Sequence, residues 1–110
     1  MTYDKYKLLD GHICVDFDGT LAHSVNGKAI GDPIPLMVAK VKSALDNGED
    51  VRIFTARASD MSVDEKRAIQ WFCVKHFGKI LHITNQKDKN TKEIWDNIAR
   101  QVVTDTGAMI

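Results

Sequence analysis

Two cysteines, two prolines and two tryptophans are all that 110 residues hold of each. Cys14 and Cys73 are too few for a disulfide framework and form no CxxC pair, which sets aside a disulfide-stapled scaffold and a thiolate zinc site. Each falls within an apolar stretch, so both are expected to be reduced core residues, as suits a cytoplasmic protein. The longest apolar runs are far short of the ~20 residues that cross a bilayer. The opening residues Met1-Thr2-Tyr3-Asp4-Lys5-Tyr6-Lys7 carry no hydrophobic signal core, so no membrane partner is expected. An excess of one charge is lacking too. Fifteen basic and fifteen acidic residues cancel, so the net charge does not point to nucleic acid or an anionic surface. Repeats, linkers and low-complexity segments are absent. Residues 1–110 therefore read as one domain, with enough apolar residues, at 44%, to fill one core.

What is present is concentrated in His12-Ile13-Cys14-Val15-Asp16-Phe17-Asp18-Gly19-Thr20-Leu21. Ile13, Cys14, Val15 and Phe17 have the character of a strand buried on both faces. Asp16 interrupts that run, and a carboxylate there is costly to bury unless a cation or hydrogen-bond donors meet it. Residues i and i+2 of a strand share a face, roughly 6–7 Å apart, so Asp16 and Asp18 are expected to address one site. Gly19 and Thr20 are expected to form a turn that offers backbone N–H groups.

Along the rest of the chain, polar residues 1–11 read as a lead-in and 12–17 as the first strand. Residues 18–33, with Gly19, Gly27, Gly31, Asn26 and Pro33, read as a long loop holding a small hairpin or flap. Met37, Val38, Val41, Ala44 and Leu45 recur at helical spacing over about 35–47, with Pro35 in the first turn and Asn47-Gly48 as the stop. Val51 to Thr55 is a strand rich in β-formers, and 56–61 a loop. Ser62-Val63-Asp64-Glu65 is a capping box that starts a helix over about 63–77, with Ile69, Phe72 and Cys73 in its buried stripe. Ile80 to Thr84 reads as a third strand, Lys92 to Trp95 as a short strand or a helical turn, and Gln101-Val102-Val103 as a last strand. Trp71 and Trp95 are expected in the core. Alternating strands and helices predict an α/β domain, a Rossmann-like three-layer sandwich with a mainly parallel sheet. Ligands of such sheets bind beyond the carboxyl ends of the strands. That is where Asp16, Asp18, Thr55, Lys87 and Asp96 fall.

Asp16-Phe17-Asp18-Gly19-Thr20 resembles the DxDGT motif of the haloacid dehalogenase (HAD) superfamily of phosphatases and phosphotransferases. Phe54-Thr55-Ala56-Arg57 resembles that family's second motif, Thr84-Asn85-Gln86-Lys87 its third-motif lysine region, and Ile94-Trp95-Asp96-Asn97 its acidic fourth motif. The resemblance implies a minimal HAD core without a cap domain and a Mg²⁺-dependent hydrolase of phosphate monoesters. It implies Asp16 as nucleophile, Asp18 as general acid and base, Thr55, Ala56 and Lys87 as phosphate-binding groups, and Asp16, Asp18 and Asp96 at the metal, Asp18 through its backbone carbonyl. Lys89 is a close rival to Lys87. The residue types suit that chemistry. A phosphate monoester is an anion that resists attack, so a site must neutralise charge and present an in-line nucleophile. A carboxylate can accept the phosphoryl group. A second carboxyl can move a proton, worth about 10²–10⁴-fold. Mg²⁺ is a hard cation that takes oxygen ligands.

The fourth motif often carries two adjacent acids, and here Asn97 stands in the second place. Asn keeps an oxygen ligand and loses a charge. Two other readings compete. In a catalytically silent HAD-like binding module the same residues would hold a ligand without turnover. A phosphorelay receiver domain would need an acceptor Asp at a later, central strand, where Thr55 and Thr84 stand instead. Arg57 and His23 could face either a substrate or solvent. Without a cap the site should be open. That fits a large phosphorylated substrate, a homo-oligomer that closes the site, or a small phosphate covered in part by the 18–33 loop.

Overall fold

The structure, a computed structural model, describes residues 11–110. The lead-in expected over 1–11 lies, except for Gly11, outside the described residues. Four parallel strands form one sheet in the order β3-β2-β1-β4: β1 is His12–Asp16, β2 is Asp50–Phe54, β3 is Ile83–Thr84 and β4 is Thr91–Trp95. Helix α1 (Pro35–Asp46) joins β1 to β2, and helix α2 (Val63–Phe77) leads from β2 towards β3. This is an α/β Rossmann-like fold, as the alternation of periodicities predicts.

The core shows why these segments fold where they do. Ile13, Val15 and Phe17 alternate along the chain and so share a face. With Val51 and Ile53 they meet Val41 of α1 and Ile69, Phe72 and Cys73 of α2 in a single buried cluster. Phe17 and Phe72 meet edge to face, ring centres 5.1 Å apart. The opposite face of β1 is also closed, since His12 and Cys14 are buried. Helix α1 starts with Pro35 in its first turn. Helix α2 has the full capping box: Ser62 Oγ accepts from Glu65 N, Glu65 accepts from Ser62 N, and Gly78 closes the helix in the left-handed region.

Some expectations are corrected. The two helices touch and share one core, so both lie on one face of the sheet. The second helical layer of a three-layer sandwich is not present among the described residues. The chain passes from β3 to β4 in residues 85–90 without a helix, where a parallel crossover ordinarily takes about a dozen residues or more. Lys92–Trp95 is strand, part of β4 at a sheet edge. Gln101-Val102-Val103 forms no strand of the sheet; Val102 makes one isolated bridge to Met109, and the segment is exposed. Trp71 is 66% exposed rather than core, while Trp95 does pack against the core cluster. The 18–33 loop is a narrow flap. Its limbs pair through a bridge between Ala22 and Pro33, and through His23 N to Asp32 O at 2.8 Å and Ile34 N to Leu21 O at 2.9 Å.

Candidate functional site

The sheet order brings the carboxyl ends of three neighbouring strands together. Asp16 pairs with Phe54, and Val15 pairs with Trp95. The next residues after β2 and β4, Thr55 and Asp96, therefore stand beside Asp16 at the rim. From β1 the chain moves outward to β2 and β3, and then returns to the other side of β1 as β4. This is the reversal of strand order at which α/β folds place their ligands. A cleft of about 430 Å³ opens there, lined by Asp16, Asp18, Thr55, Ala56, Asp96 and Asn97 among others. Five of the six site residues expected from the sequence thus share one cleft.

Lys87 is the exception. It lines a neighbouring cleft of about 640 Å³ with Lys92, Arg100 and Asp96, because the chain leaves β3 at the far edge of the sheet and turns towards β4. Asp96 is the one expected site residue that lines both clefts. Asn85, not a lysine, follows β3 into the Asp16 cleft, and its amide donates to Ser59 Oγ at 2.9 Å.

Asp16 carries the electrostatic tension of the site. Burial raises its carboxyl to about 6, and repulsion from Asp96 and Asp18 adds to the effect, while the Thr20 hydroxyl and the Phe17 amide oppose it. Thr20 Oγ1 donates to Asp16 Oδ2 at 3.2 Å. The Asn97 amide lies between the acids; with its nitrogen assigned to the side that faces them, as the surrounding acceptors require, it donates to Asp96 Oδ1 at 3.0 Å and to Asp16 Oδ2 at 3.1 Å. An amide dipole thus bridges two carboxylates that would otherwise meet directly. Asp96 Oδ1 also accepts from Ile98 N at 3.1 Å, which fixes the turn after β4.

The turn after β1 differs from the expected donor loop. Asp18 lies beyond the strand, which ends at Asp16. The amides of Thr20, Leu21 and Ala22 converge on Phe17 O at 2.9–3.3 Å, and Gly19 N donates to Ala22 O at 2.7 Å. Those N–H groups are spent inside the turn and are not offered to a ligand. Gly19 adopts φ +84°, and a Cβ there would press on the Asn97 amide.

Asp18 is gripped by Arg57. Nε donates to Oδ2 at 2.7 Å and Nη2 to Oδ1 at 2.8 Å, a bidentate fork. The same guanidinium donates to Glu65 Oε2 at 3.2 Å, Lys28 O at 2.8 Å and Ala29 O at 2.7 Å. Thr55 Oγ1 accepts from Arg57 N at 3.2 Å and so caps the short 3₁₀ turn Ala56–Asp60 that sets the Arg57 backbone. Arg57 is the residue whose role the sequence left undecided. Its place two residues after Thr55 was visible; its partners, up to 39 positions away in sequence, were not. Among the described residues, neither His23 nor Arg100 makes a side-chain hydrogen bond to this cluster; His23 sits on the exposed flap and Arg100 lines the neighbouring cleft.

Among the described residues, no three His, Cys, Asp or Glu side chains gather as a metal cluster. Asp16 and Asp96 do form a close acidic pair, and Asp18 is absent from it as a side chain because Arg57 holds its carboxylate. Two adjacent hard carboxylates that repel each other, with only neutral hydrogen-bond donors around them among the described residues, form a donor set that suits a hard cation.

No known family profile matches the sequence, and no curated protein matches it. Among solved structures, the chain is similar to a conserved protein coded by a locus from Bacteroides thetaiotaomicron. The two are 21% identical with a TM-score of 0.60, over 81% of this chain and 77% of the other. At that identity the likeness concerns the fold alone, an α/β Rossmann-like domain.

Proposed function

We propose that the protein is a Mg²⁺-dependent phosphomonoester hydrolase of the HAD type. One observation supports this reading above the others: Asp16 and Asp96 stand side by side at the reversal of strand order, in one cleft with Asp18 and Thr55. The DxDGT pattern adds the resemblance to that family.

The residues divide the work. Asp16 and Asp96 would hold Mg²⁺, which supplies charge neutralisation for the phosphoryl group when bound. An Asp16 carboxylate oxygen attacks phosphorus in line, the ester P–O bond breaks, and the phosphoryl group rests on Asp16 as an acyl phosphate. The departing alkoxide takes a proton from Asp18. Water, losing its proton to Asp18, then attacks the phosphorus, releasing inorganic phosphate and restoring Asp16. Thr55, with its hydroxyl proton free of the backbone bond it accepts, donates to a phosphoryl oxygen, and the Ala56 N–H stands next to it. Lys87 lines the neighbouring cleft, which shares Asp96 with this one, and would have to cross Asp96 to meet the phosphoryl charge.

The test is Mg²⁺-dependent phosphate release from an aryl phosphate and a panel of phosphomonoesters, with wild type and Asp16→Asn compared. Turnover by wild type that Asp16→Asn abolishes is expected. Equal turnover by Asp16→Asn removes the nucleophile assignment. A second reading, a catalytically silent HAD-like binding module, draws support from the Arg57 fork, which occupies both oxygens of the Asp18 carboxylate and leaves neither open to a leaving group. Metal-loaded, folded protein that turns over nothing in the panel selects that reading.

A further inference from the structure

We propose that Arg57 is a latch: one guanidinium locks the flap of residues 23–32 and the side chain of Asp18 into a single unit. A guanidinium has five N–H donors in a rigid plane. All five are used. Two go to Asp18, one to Glu65, and one each to the carbonyls of Lys28 and Ala29 at the flap tip. The Arg57 side chain is only 11% exposed, so water cannot readily replace these partners. No donor remains for a substrate oxygen. Arg57 is therefore a positioning residue that acts through the groups it holds.

The guanidinium ties together the turn after β1, the flap tip ten residues on, and the first turn of α2, far from both in sequence. Glu65 is itself fixed by the capping box, with Oε1 taken by Ser62 N and Oε2 left for Arg57. The latch is thus pinned on the rigid helix, and Asp18 and the flap hang from it. The flap has few other ties: its limbs pair near Ala22, His23, Asp32 and Pro33, and no other bond holds the Lys28 or Ala29 carbonyls among the described residues. It follows that loss of the Asp18 carboxylate, which makes no side-chain bond to the flap tip, loosens the flap through Arg57. Loosening the flap in turn frees the orientation of Asp18. Only the consequence for catalysis rests on the phosphatase reading; the latch does not.

The Lys28–Ala29 peptide bond reports the latch directly, because its carbonyl is one that Arg57 holds. Limited trypsin digestion of the native protein measures the rate of cleavage after Lys28 relative to cleavage after Arg100, in the exposed segment beyond β4. Cleavage of a folded chain tracks local opening. Arg57→Gln is expected to raise that ratio about tenfold or more, since it removes charge-assisted bonds. Asp18→Asn is expected to raise it in the same direction, and Glu65→Gln, which can keep the capping box, likewise. If Arg57→Gln does not fold, Arg57→Lys replaces it: one ammonium cannot serve the fork, Glu65 and both carbonyls at once. An unchanged ratio in the Arg57 variant, or equal acceleration at both bonds, overturns the latch. An Asp18→Asn ratio equal to wild type overturns the coupling. The digestion needs no turnover, so its outcome is separate from that of the phosphatase assay.

Discussion

Asp16 and Asp96 stand side by side at the ends of adjacent strands, and the amide of Asn97 lies between them, its nitrogen 3.1 and 3.0 Å from their oxygens once assigned to face the acids. Asn97→Asp would replace that donor with a third carboxylate. Without metal the variant is expected to be less stable than wild type at neutral pH, because three like charges then face one another. Its affinity for Mg²⁺ should rise on the order of tenfold, since added ligand charge tightens hard-cation sites. Mg²⁺ titrations followed by thermal melting check both effects. Equal Mg²⁺ dependence in wild type and variant would count against Asp16 and Asp96 as the cation site.

The raised Asp16 carboxyl, at about 6 against an ordinary 3.8, has a consequence for stability. In the window between those values the folded state binds this proton more tightly than the unfolded state does. The contribution of Asp16 to stability therefore falls as pH rises from about 4 to about 6. Asp16→Asn lacks the titration, so its stability relative to wild type should grow across that window, on the order of 1 kcal/mol once solvent screening is allowed for. Urea midpoints at several pH values give the comparison. A wild-type minus variant difference that is flat with pH would contradict the shift.

Ser62 holds the amide of Glu65 at 3.1 Å as the cap of α2. Ser62→Ala is expected to destabilise the protein by about 1 kcal/mol. The urea midpoint should fall with an unchanged slope. A neutral result would mean that other groups satisfy the first turn.

Gly31 lies against the His23 carbonyl, and any Cβ there would collide with that backbone. Gly31→Ala should force the limbs of the flap apart. The expected result is faster trypsin cleavage after Lys28, with the Asp18–Arg57 fork still in place. Cleavage at the wild-type rate would mean that the limbs shift without opening.

Much of the frame was legible along the chain. The capping box over Ser62–Glu65 and the stripe Ile69, Phe72 and Cys73 are local patterns, and they became α2 and its buried face. Pro35 and the Val41 stripe became α1. The weaker readings share a cause. Thr91–Trp95 is an edge strand with Lys92, Glu93 and Ile94 exposed, so its alternation is faint. Of the run Ile80 to Thr84 only Ile83–Thr84 pairs as strand, since apolar content alone does not say where a ladder begins. Trp71 and Val102 are apolar residues left outside, and hydrophobicity permits burial without compelling it.

By itself, the sequence determined the alternation of strands and helices, the acid that ends the first strand, and the polar residues waiting at later strand ends. These depend on interactions within a few residues of one another, which periodicity and caps record. The tertiary structure decided the rest. It placed β4 beside β1, so that Asp96 meets Asp16. It sent Lys87 to the neighbouring cleft, and it spent the Gly19 and Thr20 amides within their own turn. It also brought Asp18, Lys28, Ala29 and Glu65 around one guanidinium. Such partners are chosen by where the chain passes in space, and no local pattern encodes a contact between residues 18 and 57.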